Sequence, residues 1–360
     1  MRQMAGRKSG AGISIAIVGD MEVNRSEPEK VFDKVMPELS KADIRFGGLE
    51  APLSVRGTPL TGKIIMRHDP RMIEAYLAGG FEVVAFASNH CLDYGIEPFV
   101  DTLDLLDQKQ IRYVGAGRNI DEARKPAIIQ KNGVRVGFLS YLQFLPMGWW
   151  AHPAKPGVAP IREDALYGPP YVNEEDLEAM ALDIKRTRAQ ADIVVSSYHW
   201  GQSQSRMLTL SQKAVAHAAI DAGADLVIGR HPHIVQGIEV YKGRAIFYAI
   251  GNFALDHAHP MFLPTVKESL LIRCDIENNS IRRLSFLPVI IGDDGRPEIL
   301  AGKDARAQTL LGPLCALSKK LRTPLRLVGD EVVVPVGRRA AATADAARKA
   351  KAKTTRRKHR

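Results

Sequence analysis

His231 and His233 flank a proline in the run Gly229-Arg230-His231-Pro232-His233, directly after the apolar stretch Leu226-Val227-Ile228. That stretch reads as a buried strand, so both histidines fall on the loop that leaves its C-terminal end. Open α/β sheets place their ligands at such ends. Pro232 fixes its own φ near about −65° and moves His231 out of the helical region, which stiffens the turn. A single loop histidine is ordinarily a solvated or hydrogen-bonded side chain. Two imidazoles held together behind a buried strand point instead to metal ligation, because imidazole is the commonest nitrogen donor to zinc and other first-row ions.

The same placement recurs along the chain. Asp20 follows an apolar run over 13–18, Glu50 follows one over 43–49, and Ser88-Asn89-His90 follows one over 81–87. His199 follows the run over 192–197, and Asn252 lies downstream of the paired histidines. Two carboxylates, several imidazoles and an amide oxygen suit a divalent transition metal such as Mn, Fe or Zn, with a carboxylate available to bridge two ions. Neighbouring strands of one sheet are expected to gather these scattered residues.

The elements that must hold them alternate between helix and strand, which specifies an α/β fold. Pro28 opens a helix over 29–39, and a helix over 70–78 stops at Gly79-Gly80. A helix over 97–109 leads to a short strand over 111–114, and Asn132-Gly133 marks a hairpin between apolar runs. The segment 143–171 is irregular and carries Trp149, Trp150, Tyr167 and Tyr171. A loop of that length is either a lid or a satellite core under a long connection. Helices over 174–190 and 211–222 precede the strands that deliver His199 and the paired histidines. Alternating strands over 268–275 and 281–289, joined by Glu277-Asn278-Asn279, form an antiparallel hairpin, and a helix over 303–321 with a strand over 325–334 closes the chain as an appendage.

Composition narrows the setting. The 360 residues are 45% hydrophobic and 25% charged, as in a globular domain. No run of about 18 apolar residues occurs, and the basic N-terminus leads into a first strand rather than a cleaved signal. Cys91, Cys274 and Cys315 are odd in number and far apart, which argues against a disulfide framework and fits a reducing, cytoplasmic setting. The net charge of +10 invites a nucleic-acid partner, yet residues 337–360 carry six Arg and four Lys against one Asp, or +9. The body is left near +1, so specific nucleic-acid binding is not expected. The division expected is a flexible N-terminus over 1–12, one domain over 13–336 and a disordered basic tail over 337–360 that can touch anionic surfaces.

Gly19-Asp20, Gly48-Leu49-Glu50, Ser88-Asn89-His90 with Asp93-Tyr94-Gly95, Tyr198-His199-Trp200-Gly201, Gly229-x-His231-Pro232-His233 and Gly251-Asn252-Phe253 occur in that order. Together they resemble the motifs of the CapA (poly-γ-glutamate capsule synthesis) family, itself similar to the calcineurin-like metallophosphoesterases. The resemblance covers about 13–291 and implies a four-layer α/β/β/α sandwich of metallophosphoesterase type. It implies metal ligation by Asp20, Glu50, Asn89, His199, His231 and His233, with Glu50 bridging. It also implies that His90 is the acid beside one or two divalent ions, with Asp93 either orienting it or capping a turn.

Two departures stand out. Glu22 occupies the place where the phosphoesterase pattern has a histidine, so one metal position is short of a ligand. Arg230 stands where relatives carry a small residue or histidine, as an anion contact or a surface charge.

The resemblance implies a metal-dependent hydrolase acting on a phosphoester or an amide-linked, carboxylate-rich polymer or peptide, with capsule-synthesis proteins as possible partners. Two alternatives stand beside it. One is a peptide epimerase that uses the same metals and a base, and the other is a non-catalytic accessory protein of poly-γ-glutamate synthesis.

Overall fold

The computed structural model describes residues 12–144, 148–164, 171–256 and 262–337. The basic tail beyond Gly337, nearly all of the N-terminal segment and Tyr167 therefore lie outside the described residues.

The first half of the chain lays down parallel strands β1 (Ile13–Glu22), β2 (Ile44–Leu49), β3 (Val83–Ala85) and β4 (Arg112–Val114), with helices α1 (Ile73–Ala78) and α2 (Ile96–Gln108) between them. A hairpin of β5 (Ala127–Lys131) and β6 (Val134–Leu142) turns at Asn132 and Gly133, with φ 47° and 81°. Two positive φ values in succession are what the primed hairpin turn requires. Helix α3 (Glu174–Arg188), β7 (Ile193–His199), α4 (Leu210–Ala222) and β8 (Leu226–Arg230) follow. Strands β9 (Ile238–Tyr241), β10 (Arg244–Phe247) and β11 (Asn252–Leu255) lead to the long antiparallel pair β12 (Glu268–Glu277) and β13 (Ser280–Ile291), then to α5 (Ala305–Lys320).

Among the described residues these strands make two large sheets. One has ten strands and includes the run β13-β12-β1-β2-β3-β4, with β4 at its edge, and the other runs β9-β10-β8-β7-β6-β5. Alternation along the strands assigns the layers. Ile13, Ile15 and Ile17 of β1 share an inner core with Ile193 and Val195 of β7 and Leu226 and Ile228 of β8. Ala16 and Val18 face outward onto Tyr76 of α1 and Phe99 and Leu103 of α2. Val194 and Val227 face outward onto Met180 of α3 and Val215 of α4. Each strand is apolar on both faces because each face is covered, one by the other sheet and one by helices. The result is a four-layer α/β/β/α sandwich, the architecture that the resemblance implies.

Several expected elements differ. The helix over 29–39 is a 3₁₀ turn at Pro28–Lys30 followed by a short helix at Met36–Leu39. Pro37, at the start of the second piece, has no N–H to carry one continuous helix across the join. The closing elements are not an appendage. Leu310 and Leu314 of α5 lie in the inner core, and the expected strand over 325–334 is two short strands, Arg326–Val328 and Glu331–Val333, the second of which pairs antiparallel with β13 in the larger sheet. Ser318 Oγ accepts from the Ile238 N–H at 3.0 Å, tying α5 to the second sheet. Alternation alone could not name those partners. Trp149 and Trp150 pack on the outer core of the first sheet, whereas Tyr171 is largely exposed. Among the described residues no helix is long and apolar enough to cross a membrane.

Candidate metal centre

Because β1, β2 and β3 are parallel, their C-terminal ends share one edge of the first sheet, and this edge presents Asp20, Glu50 and Asn89. The parallel run β6, β7, β8 gives the second sheet a matching edge that presents His199, His231 and His233. The residues thus come from two facing sheets, not from one sheet as first expected. Asp20 is also not at a strand tip. β1 continues through a register shift to Glu22, pairing Asp20 with Gly48 on one side and Asn252 on the other.

Four ligand-type atoms converge where the edges meet. His199 Nε2 lies 2.6 Å from Asn89 Oδ1, 3.0 Å from His231 Nδ1 and 3.8 Å from Glu50 Oε1. Asp20, Glu50 and His199 each offer one ligand atom, all within 4.8 Å of one another. The decisive feature is Glu50, whose two carboxylate oxygens are both buried with no hydrogen bond of ordinary geometry, although the Ser88 and Asp20 side chains lie close enough to influence its titration. A buried carboxylate left that way is costly unless a cation or proton compensates it. Burial, then the charge of Asp20, pushes the Glu50 carboxyl well above its ordinary range. Burial pushes His199 and His231 well below the ordinary imidazole range, and neighbouring histidines add to this. The imidazoles are thus held in the neutral form that ligates metals. The donor set fits a divalent ion.

The loop that carries the paired histidines is strained. His231 has φ 89° and His233 φ 60°. Pro232 does move His231 out of the right-handed helical region, but into positive φ rather than the extended region usual before proline. Such backbone costs about 1–3 kcal/mol per residue and persists where surroundings over-determine it. Here Asp20 Oδ2 accepts from the His231 N–H at 3.1 Å, and His233 Nδ1 lies 3.0 Å from Asn252 Oδ1.

His90 stands on the adjoining turn, with its Nδ1 2.6 Å from Asp93 Oδ2. Asp93 also accepts from the Met66 N–H at 2.7 Å and from Lys63 Nζ, which reaches the Asn89 carbonyl as well. Of the two roles open to Asp93, the geometry is that of the orienting partner. Lys63 was not foreseen, because it comes from a long loop with no periodic pattern.

Arg230 is not a surface charge, and the anion it contacts is a carboxylate of the chain itself. Arg230 is 1% exposed and its Nη1 donates to Asp20 Oδ1 at 2.5 Å. Glu22, in place of the phosphoesterase histidine, has its Oε1 3.4 Å from His68 Nε2. Opening beside this cluster, a recess of about 370 Å³ is lined by Phe144, Glu163, Gly201, Gln202, Thr209 and His231 itself.

A carboxylate, amide and imidazole cluster between the sheets of a four-layer sandwich defines an α/β/β/α protein with a candidate metal-binding site. Within that class, the family model for bacterial capsule synthesis protein PGA_cap matches residues 11–257, and the chain belongs to that family. It is 30% identical over 298 residues to capsule biosynthesis protein CapA of Bacillus anthracis, covering 79% of this chain and 69% of that protein. It is 29% identical over 290 residues to PGA biosynthesis protein CapA of Bacillus subtilis (strain 168), covering 78% and 72%. A hypothetical protein from Thermus thermophilus superposes with a TM-score of 0.46 at 13% identity, over 77% of this chain and 98% of that one.

Proposed function

We propose that this chain is a metal-dependent hydrolase of poly-γ-glutamate-related metabolism, cleaving an amide or phosphoester bond in a carboxylate-rich polymer. The observation that carries the reading is Glu50, with both oxygens buried and without a hydrogen bond of ordinary geometry beside Asn89, His199 and His231. Those four side chains, with Asp20 adjoining, would hold the ion. When bound, the ion supplies Lewis-acid polarisation of the scissile group and activation of water.

The chain's own residues supply the rest. Asp93 engages Nδ1 of His90, which leaves Nε2 as the nitrogen that exchanges a proton with the leaving group. Lys63 bridges Asp93 and the Asn89 carbonyl, so one cation steadies both the proton donor and a ligand. The recess beside His231 is open to solvent, which suits an extended chain better than an enclosed small molecule.

The test offers the metal-loaded protein γ-linked glutamate oligomers and an activated phosphodiester, with metal content measured on each preparation. Cleavage of either that is lost on chelation and restored by metal is expected. No cleavage of either by the loaded protein would overturn the hydrolase reading in favour of an accessory role.

A further inference from the structure

We propose that the guanidinium of Arg230 takes the place of a second metal ion, so that this centre binds one ion per chain. The inference rests on the metal reading above and concerns the number of ions, not the presence of one.

The side chains that could build a second position are already committed. Asp20 Oδ1 accepts from Arg230 Nη1 at 2.5 Å, and Asp20 Oδ2 accepts from the His231 N–H at 3.1 Å. Glu22, two residues on, lies 3.4 Å from His68 on the far side of β1's register shift. His233 has Nδ1 within 3.0 Å of Asn252 Oδ1. Against these stand the two Glu50 oxygens, neither with a hydrogen bond of ordinary geometry, and the converging atoms of Asn89, His199 and His231. The first position gathers donors that suit a cation, whereas beside Asp20 the chain supplies its own positive charge.

The cation is built in rather than drifting. Arg230 Nε donates to Ser197 Oγ at 3.2 Å and Nη2 to the Ala87 carbonyl at 3.1 Å, so the fork is held from β7, from the chain just past β3 and from β1. Gly48 makes the room. A Cβ there would lie 2.3 Å from Arg230 Nη1 and 2.4 Å from Asp20 Oδ1, closer than real Cβ contacts allow. A guanidinium stays protonated throughout the working pH range and presents a planar fork matched to a carboxylate. A divalent ion on the same carboxylate oxygen would meet that charge at contact distance in a dry interior, where like-charge repulsion is large. Arg230 and a second ion therefore exclude each other, and the positive charge beside Asp20 cannot be removed by a chelator.

The experiment counts ions. Purified chain, stripped and then titrated with Mn²⁺ or Zn²⁺, is measured by calorimetry and by elemental analysis after desalting, alongside Arg230→Ala. One ion per wild-type chain and a second, weaker ion in Arg230→Ala are expected. Two ions in the wild type, or a single ion in folded Arg230→Ala, would overturn the inference while leaving the metal reading intact. No ion in either protein would overturn the metal reading, and this inference with it. If Arg230→Ala does not fold, Arg230→Leu fills the cavity without a charge or a ligating atom and carries the same comparison, with a second ion again the expected result.

Discussion

Acidifying the metal-free protein should unfold it within a window set by the imidazoles of the site. Burial lowers the pKa of His199 and His231 well below the ordinary 6.5, and lowers that of His233 as well. Each ring is therefore neutral in the folded chain at a pH where the unfolded chain has protonated it. A folded value below the unfolded one means that stability is full above about 6.5 and is lost as pH falls beneath it. Glu50 works in the opposite sense. Burial, then the charge of Asp20, raises its carboxyl well above the ordinary 4.5, so above that pH the folded state binds the extra proton. Between about 4.5 and 6.5, His199 and His231 each favour the unfolded chain by up to one proton and His233 by a part of one, against up to one for Glu50 in the folded chain, so the difference is at most two. At about 1.4 kcal/mol per pH unit per proton, stability should fall by up to about 2.7 kcal/mol for each unit of acidification. Urea denaturation in chelator, followed by tryptophan fluorescence across this range, measures the slope. His233→Asn removes its part of that difference and should flatten the slope by up to about 1.4 kcal/mol per unit. A wild-type slope near zero, or one that His233→Asn leaves unchanged, would refute the reasoning.

Replacing His90 by Ala should reduce turnover about a hundredfold or more with metal content nearly intact, the usual scale for a lost acid or base. Loss of metal in proportion to activity would mark His90 as structural instead. Gly229→Ala would set a Cβ 1.8 Å from the Tyr248 carbonyl oxygen and 2.5 Å from Trp200 Nε1. A loss of at least about 1–3 kcal/mol is expected, read as a fall in Tm, and an unchanged Tm would contradict the close approach of the chain there. Deleting residues 338–360, which carry most of the net charge but almost no large apolar side chains, should leave Tm unchanged. The cut belongs after Gly337, whose N–H donates to the Gly243 carbonyl at 2.9 Å. A large fall in Tm would show that the deleted segment packs.

The positions of the site residues were legible because each follows an apolar run that a buried strand requires, and parallel strands put such ends on one edge. That pattern located Glu50, Asn89, His199 and His231 without any knowledge of the pairing. It could not show that two sheets share the site, since the same alternation fits strands facing a helix or a second sheet. Nor could it show the Arg230 to Asp20 contact, which joins residues 210 positions apart and depends on how the sheets face each other. Arg230 on a predicted loop looks like a surface charge, yet β8 extends through it and turns it inward. Lys63 escaped for a related reason. Its loop has no periodicity, and only the fold brings it to Asp93.

The central claim is that Glu50, Asn89, His199 and His231 surround an ion. Crystals of the Mn²⁺- or Zn²⁺-loaded chain, measured on both sides of the metal absorption edge, test it directly. The account predicts an anomalous peak at about 2.0–2.3 Å from His199 Nε2, His231 Nδ1, Asn89 Oδ1 and a Glu50 oxygen, the range of ordinary metal–ligand bonds. A loaded crystal with no peak among those four side chains, or with its peak elsewhere in the molecule, would contradict it.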